Sequence, residues 1–550
     1  MNTFRPPIWL ILICLLWLAA IIWIGPWGEF PLNDDWAYAR PVQSLVEHGT
    51  LDIPQGWPAM TLVSMIAWGA LFCLPFGFSF AALHISMITA GLIGIVLTYV
   101  FIEEFSGNRR AALLTAAVVA ANPIYLNLST TFMTDVFFYM LLIWVSILSL
   151  RTIRTGSMRT YVWLMVALTI ALYTRQFALF LAVSFGVGYF LSRTYSKQTF
   201  LLAVFPVFMC AAELLLHQYV FYPLLGFTDL HSPWMNNLTD RFFQPLSLQY
   251  YHYRNAILAA VGYPGLFILV LWSLVPGQAL RLPLWGIRLS RWLPFAFLLA
   301  LFIAHYPSML MPFIINVWVD FGSGALSLRD GILEMAKIAE APAILWQTLT
   351  VMAIVSGIML TALSLNGLRN ILSNFSLPLP FRSVLILFSL TFPAQYLAVI
   401  TVAGLFDRYY ILLIPFAALL IALHGEHRPL RRWYGAAIAL FLTAMFVFST
   451  LSTRDYHSWN SARWLALDDL TNELKIPADH IDGGVEFNAS RLYTRDFVPK
   501  NPDVWWWVPD DEYVIAFDSL DGYTTVRTYP FKTTLPWVRI HELRVLHRNS

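Results

Sequence analysis

Gly25-Pro26-Trp27-Gly28-Glu29-Phe30-Pro31-Leu32-Asn33-Asp34-Asp35-Trp36-Ala37-Tyr38-Ala39-Arg40 follows directly on the first apolar segment of the chain. Two adjacent carboxylates, Asp34 and Asp35, close a hydrophobic helix among aromatic residues that favour the membrane–water boundary. Ionised carboxylates this near to hydrocarbon are costly, and are kept for a partner, a substrate or a proton. For an isolated Asp pair a solvated turn is the better reading. The rest of the chain argues for more.

Of the 550 residues 58% are hydrophobic and only 12% charged, with a mean hydropathy of +0.64. That balance describes a polytopic membrane protein rather than a soluble one with a large core. The net charge of +2 comes with no basic tract, which argues against a nucleic-acid partner. Cys14, Cys73 and Cys210 all lie in apolar stretches without metal-site spacing and read as packing residues. Met1–Pro26 lacks a small-x-small cleavage site and reads as a retained first helix.

Topology follows from apolar runs and from the placing of Lys and Arg. Arg5 precedes the first span, so the N-terminus is expected in the cytoplasm and the Asp pair outside. Met60–Phe78 is expected to lie at the outer boundary without crossing, because only then does Arg109-Arg110 face the cytoplasm. The basic groups at Arg151–Arg159, Arg193–Lys197, Arg281–Arg291, Arg369–Arg382 and Arg428–Arg432 then fall on the same side. The reading gives about thirteen transmembrane helices over residues 1–452, with an outer-face loop at 28–79 and the C-terminus outside a plasma (inner) membrane. No internal repeat is visible.

Residues 453–550 change character, carrying 15 of the 32 acidic residues. A helix at Ser461–Leu474 and strands at Tyr513–Phe517, Thr524–Tyr529 and Val538–Val545 predict a small soluble α+β domain on the outer face. Trp505-Trp506-Trp507 within it suits sugar stacking or packing against the membrane part equally well.

Three further polar sites fall at the outer ends of spans. Asp135 ends Ser129-Thr130-Thr131-Phe132-Met133-Thr134-Asp135; Arg175 tips a short hairpin in Tyr173-Thr174-Arg175-Gln176; Asp407-Arg408-Tyr409-Tyr410 opens the twelfth span. Each arginine alone could pair with acidic loops or snorkel to headgroups. Together these groups suit one chemistry. A carboxylate takes the proton of a hydroxyl or amine nucleophile, while guanidiniums hold a phosphate and stabilise it as it leaves.

The order of these motifs resembles the GT-C glycosyltransferases: an Asp-Asp loop, Gly56-Trp57-Pro58 before an apolar helix, Arg109-Arg110, Asn122-Pro123 leading to Met133-Thr134-Asp135, Leu172-Tyr173-Thr174-Arg175, and Arg408-Tyr409-Tyr410-Ile411-Leu412-Leu413-Ile414-Pro415. The similarity is to bacterial relatives of protein O-mannosyltransferases and of the lipid A aminoarabinose transferase, from about Ile8 to Arg193 and again over Phe406–Pro415. It implies a mostly α GT-C membrane fold and inverting transfer from a polyprenyl-phosphate sugar donor to a glycan, lipid or protein acceptor, among membrane lipids. By the same resemblance Asp34 or Asp35 matches the catalytic carboxylate and Asp135 the acidic residue of the second outer loop, while Arg175 and Arg408 lie near the lipid phosphate. Trp36, Tyr38, Trp57 and Tyr409 are expected along the substrate. Paired Asp residues suit Mg²⁺ or Mn²⁺, but the relatives generally need none and no metal is expected. Close relatives carry Lys-Pro-Pro where this chain has Gly56-Trp57-Pro58. The competing readings are a transporter or flippase of a lipid-linked glycan, disfavoured because the polar residues cluster at one face, and an inactive scaffold.

Overall fold

The computed structural model describes residues 6–58, 60–225, 250–275, 283–284, 287–333, 335, 337–403, 406–425, 432–494, 497 and 506–549. Arg5, residues 226–249, Arg281, Arg428, Arg431 and Trp505 lie outside the described residues.

Apolar sequence becomes helix here because a backbone surrounded by hydrocarbon must satisfy its own N–H and C=O groups. The chain opens with α1 (Ile8–Ile24), which ends at Gly25 in the left-handed region, with φ 70°. The Asp loop leads into α2 (Asp35–His48), then α3 (Val63–Cys73) and α4 (Phe80–Ser106). The eleven residues of α3 extend about 16 Å, so α3 alone does not reach across a hydrocarbon core of about 30 Å. The apolar stretch Ala111–Leu128 is two helices, α5 (Arg109–Ala121) and α6 (Pro123–Leu128), broken at Asn122. Pro123 cannot donate an N–H to continue α5, and the Asn122 side chain caps the new helix by accepting from the N–H groups of Ile124 and Tyr125.

The central helix α7 (Thr134–Thr155) is buried along nearly its whole length and opens with Asp135 in its first turn. The hairpin α8 (Met158–Leu172) and α9 (Ala178–Leu191) has arms of 15 and 14 residues. Each arm is about 21–23 Å long, and Arg175 in the turn between them is fully buried. Farther on, α10 (Lys197–Leu216) and the helices Ala343–Ser373 and Phe381–Ala403 complete the apolar shell. Seven described helices are long and apolar enough to cross a membrane, and five more apolar helices are shorter. This is a multi-pass, mostly helical membrane protein.

The tail is tied in from the start. The helix Arg432–Asp468 runs past Thr453 without a break, so the helix expected at Ser461–Leu474 is its upper end, closed by a π-helical turn at Asp469–Glu473. Above it lies a four-stranded sheet in the order Ile481–Asp482, Tyr513–Ala516, Glu542–Arg548, Tyr523–Pro530, its first pair parallel and the others antiparallel. The last strand begins later than the sequence suggested, because Arg539 N–H donates to the Ile338 carbonyl of the loop before Ala343 and holds that stretch away from the sheet. Trp459, Phe487, Phe517 and Leu543 of the tail share one apolar core with Val319, Phe321, Leu328 and Ile338 of the loop before Ala343. Asp330 fastens the two parts by accepting from the N–H groups of Phe517 and Asp518 at 2.8 and 3.0 Å.

Candidate active site

Four charged groups far apart in sequence meet where α2, α7, the α8–α9 turn and the 3-10 turn Asp407–Leu413 converge. Arg175 Nη2 lies 2.9 Å from Asp135 Oδ1, Arg408 Nε 3.9 Å from Asp135 Oδ2, and Arg408 Nη2 3.4 Å from Asp34 Oδ2. The set balances two negative against two positive charges, which is how such groups are kept at low dielectric. Arg175 also donates from Nε to Thr134 Oγ1 at 2.8 Å. The Tyr409 ring lies 5.7 Å from the Arg175 guanidinium carbon and 5.9 Å from that of Arg408, a cation–π arrangement serving both. Nη1 of each arginine is buried and has no hydrogen-bond partner among the described residues.

Exposure grades these groups. The Asp34 side chain is 19% exposed, Arg408 5%, Asp135 1% and Arg175 0%. Asp34 is therefore the open end of the cluster. It lines a cavity of about 900 Å³ with Asn33, Trp57, Lys337, Phe406, Glu486 and Trp506 among its walls. Trp57 Nε1 donates to Asp34 Oδ1 at 3.3 Å. Burial raises the proton affinity of Asp34 above the usual carboxylate range, while the Arg408 guanidinium and the Trp57 indole oppose that shift.

The neighbouring carboxylate faces elsewhere. Asp35 is fully buried, accepts from Leu32 N–H at 3.4 Å and lies 3.5 Å from His84 Nε2. Asp34 precedes the first residue of α2 and makes no side-chain cap hydrogen bond to the helix, so capping does not account for its carboxylate. Because Asp34 turns to Arg408 and Asp35 to His84, the pair does not form a two-carboxylate metal site. His480, Asp510 and Glu512 approach one another at the edge of the tail sheet, where Asp510 is already paired with Arg548.

Of the four aromatic residues expected along the substrate, Trp57 lines the cavity. Trp36 is buried, 5.4 Å from Trp57 and 5.1 Å from Tyr493 between ring centres. Trp507 joins that cluster, 5.3 Å from Trp57, and is itself buried, so the tail packs onto the Asp loop through it; Trp506 is more open. Tyr38 and Tyr409 are buried behind the charged groups. One contributor had no signal in the sequence: Glu486 reaches the Asp loop from the tail. Asp407, which the sequence placed beside Arg408, fixes that turn by accepting from the N–H groups of Val317 and Trp318.

With its multi-pass helical fold and a charged cluster beside a cavity, the chain resembles the GT-C membrane glycosyltransferases. Residues 64–217, little more than a quarter of the chain, match the family described as dolichyl-phosphate-mannose-protein mannosyltransferase. That stretch includes Asp135 and Arg175. Among solved structures the chain is similar to ArnT from Cupriavidus metallidurans in the apo state, at 13% identity and TM-score 0.36, over 86% of this chain and 81% of that one. The same protein bound to undecaprenyl phosphate matches at the same identity and TM-score, over 86% and 82%. No curated protein matches the chain.

Proposed function

We propose that the protein is an inverting glycosyltransferase that moves a sugar from a polyprenyl-phosphate donor to an acceptor on the outer face of the plasma membrane. The observation that carries this reading is Arg408, shared between the accessible Asp34 and the buried Asp135, with its Nη1 making no hydrogen bond among the described residues. The contact to Asp34 is long for a charge-assisted hydrogen bond, so a phosphate oxygen can take it over. The family matched over residues 64–217 is described by a dolichyl-phosphate-mannose donor, which is a polyprenyl-phosphate sugar.

In the proposed step the acceptor hydroxyl or amine gives its proton to Asp34 and its lone pair forms the bond to the anomeric carbon. The bond from that carbon to the phosphate oxygen breaks on the opposite side, and its electron pair leaves with the polyprenyl phosphate. Arg408 stabilises the leaving oxygen. Arg175, behind Asp135, holds that carboxylate and adds to the positive field. Gly56 stands where the Lys of the relatives' Lys-Pro-Pro falls, so in this chain the cationic contact to the phosphate falls on the arginines.

The test uses full-length protein in detergent with a panel of polyprenyl-phosphate-linked hexoses and pentoses, a membrane extract as acceptor source, and polyprenyl phosphate release as readout. Asp34→Asn is expected to abolish release while leaving the melting temperature unchanged. Wild-type protein releasing nothing from any donor, or full activity in Asp34→Asn, would overturn the assignment.

A further inference from the structure

We infer that Glu486, contributed by the tail, is a positioning residue for Asp34. The inference rests on the reading of Asp34 as the base. Asn33 sits at φ 58°, in the left-handed region, which Asn enters more readily than most residues with a side chain but still at some backbone cost. What holds it is a backbone hydrogen bond: Asn33 N–H donates to Glu486 Oε1 at 2.8 Å. On the far side of the turn, Asp35 N–H donates to the Leu32 carbonyl at 3.2 Å. Asp34 is thus presented from a tight turn clamped at both neighbours.

Glu486 is itself fixed. It is fully buried, and its other oxygen accepts from Arg463 Nη2 at 2.9 Å. Arg463, also fully buried, donates from Nη1 to Ser327 Oγ at 2.6 Å, and the Ser327 carbonyl accepts from Val485 N–H at 3.0 Å. The long helix, the outer loop and the tail therefore share one hydrogen-bonded joint, and its free end is the catalytic turn. Glu486 also lines the same cavity as Asp34. Its negative charge adds to burial in raising the proton affinity of Asp34. The other groups facing Asp34 are Arg408 with Asp135 and Arg175 beyond it, the Trp57 indole and Lys337 on the cavity wall, while Asp35 is turned away onto His84.

Two substitutions separate the effects, read as the pH–rate profile of polyprenyl phosphate release by full-length protein. Glu486→Gln keeps an oxygen for Asn33 N–H but removes the charge. Its plateau kcat should stay near wild type while the acidic limb moves down by roughly half a pH unit. Glu486→Ala loses both functions, and kcat should fall about 10- to 100-fold with the KM for the donor little changed. If the lone Arg463 charge unfolds Glu486→Gln, the double variant Glu486→Gln, Arg463→Met removes both buried charges and reads the same limb. An acidic limb that stays put in the Gln background, or a kcat retained in Glu486→Ala, overturns the inference. Asp34→Asn in the same assay keeps the two levels apart. If it is active, the base assignment fails; if it is inactive while the Gln limb is unmoved, only the role of Glu486 fails.

Discussion

Arg408 and Asp34 lie 374 residues apart in the chain and 3.4 Å apart in space. The pairing joins the turn that opens a late helix to the loop that closes the first one, and it leaves only the Asp34 end open to the cavity.

The two adjacent aspartates should respond differently to the same substitution. Loss of a general base typically costs ~10²–10⁴-fold in rate, and that loss is expected in Asp34→Asn. Asp35 is fully buried against His84, so Asp35→Asn should instead destabilise the fold by about 1–3 kcal/mol. Melting temperature and turnover per folded molecule, measured on both variants, distinguish the two. A stable but inactive Asp35→Asn would reverse the assignment.

The two arginines should likewise separate. Arg175 is the near partner of a buried Asp135, and removing one member of such a pair costs about 3–5 kcal/mol. Arg175→Ala should therefore show chiefly as lowered thermal stability, with donor binding weakened alongside. Arg408 lies nearer the cavity. Arg408→Lys keeps the charge but loses the planar fork, and is expected to weaken polyprenyl phosphate binding by about tenfold or more, equivalent to ~1.5–3 kcal/mol, with little change in melting temperature. Direct binding of polyprenyl phosphate measures this, and unaltered affinity would remove Arg408 from the phosphate site.

A pH effect is expected where the loop before Ala343 meets the tail. Burial raises Asp330 from 3.8 to about 6, although the Phe517 and Asp518 N–H groups oppose the shift. A raised carboxyl pKa means that the folded state binds the proton more tightly than the unfolded chain. The contribution of Asp330 to stability is thus fully present below about pH 4 and is lost as pH rises through about 6. Thermal unfolding from pH 4 to 7 should show this slope in wild type, and Asp330→Asn should flatten it. An equal slope in both proteins would refute the role of Asp330.

Sidedness has its own test. Arg109 is exposed at the start of α5, and the positive-inside pattern puts it in the cytoplasm. In a background without Cys14, Cys73 and Cys210, a cysteine replacing Arg109 should resist an impermeant thiol reagent added outside whole cells. A cysteine replacing the exposed Ser519 of the tail should react. Labelling at Arg109 from outside would overturn the proposed outer-face site.

The residues that could be read from the sequence were those whose cost is local. Asp34, Asp135, Arg175 and Arg408 stand out because a charge beside an apolar run needs a partner, and each was found with one. The division between Asp34 and Asp35 was not legible, since it depends on which side of the turn meets His84 from α4. Glu486 was hidden for a similar reason. It sits in a polar tail where an acidic residue is ordinary, and its contact with Asn33 spans 453 residues. The end of the membrane part was misleading for another cause. The polarity of the sequence changes near Thr453, but the Arg432–Asp468 helix does not stop there, because a helix needs no apolar environment once its backbone bonds are made.

That helix acts as a rigid mast. Its 37 residues extend about 55 Å, well beyond a hydrocarbon core of about 30 Å. Arg463 stands near its C-terminal end and grips Glu486, so the turn that bears Asp34 is tied through Glu486 to an unbroken helix. Any tilt of that helix in a membrane of different thickness would move Arg463 and, through Glu486, the turn that bears Asp34.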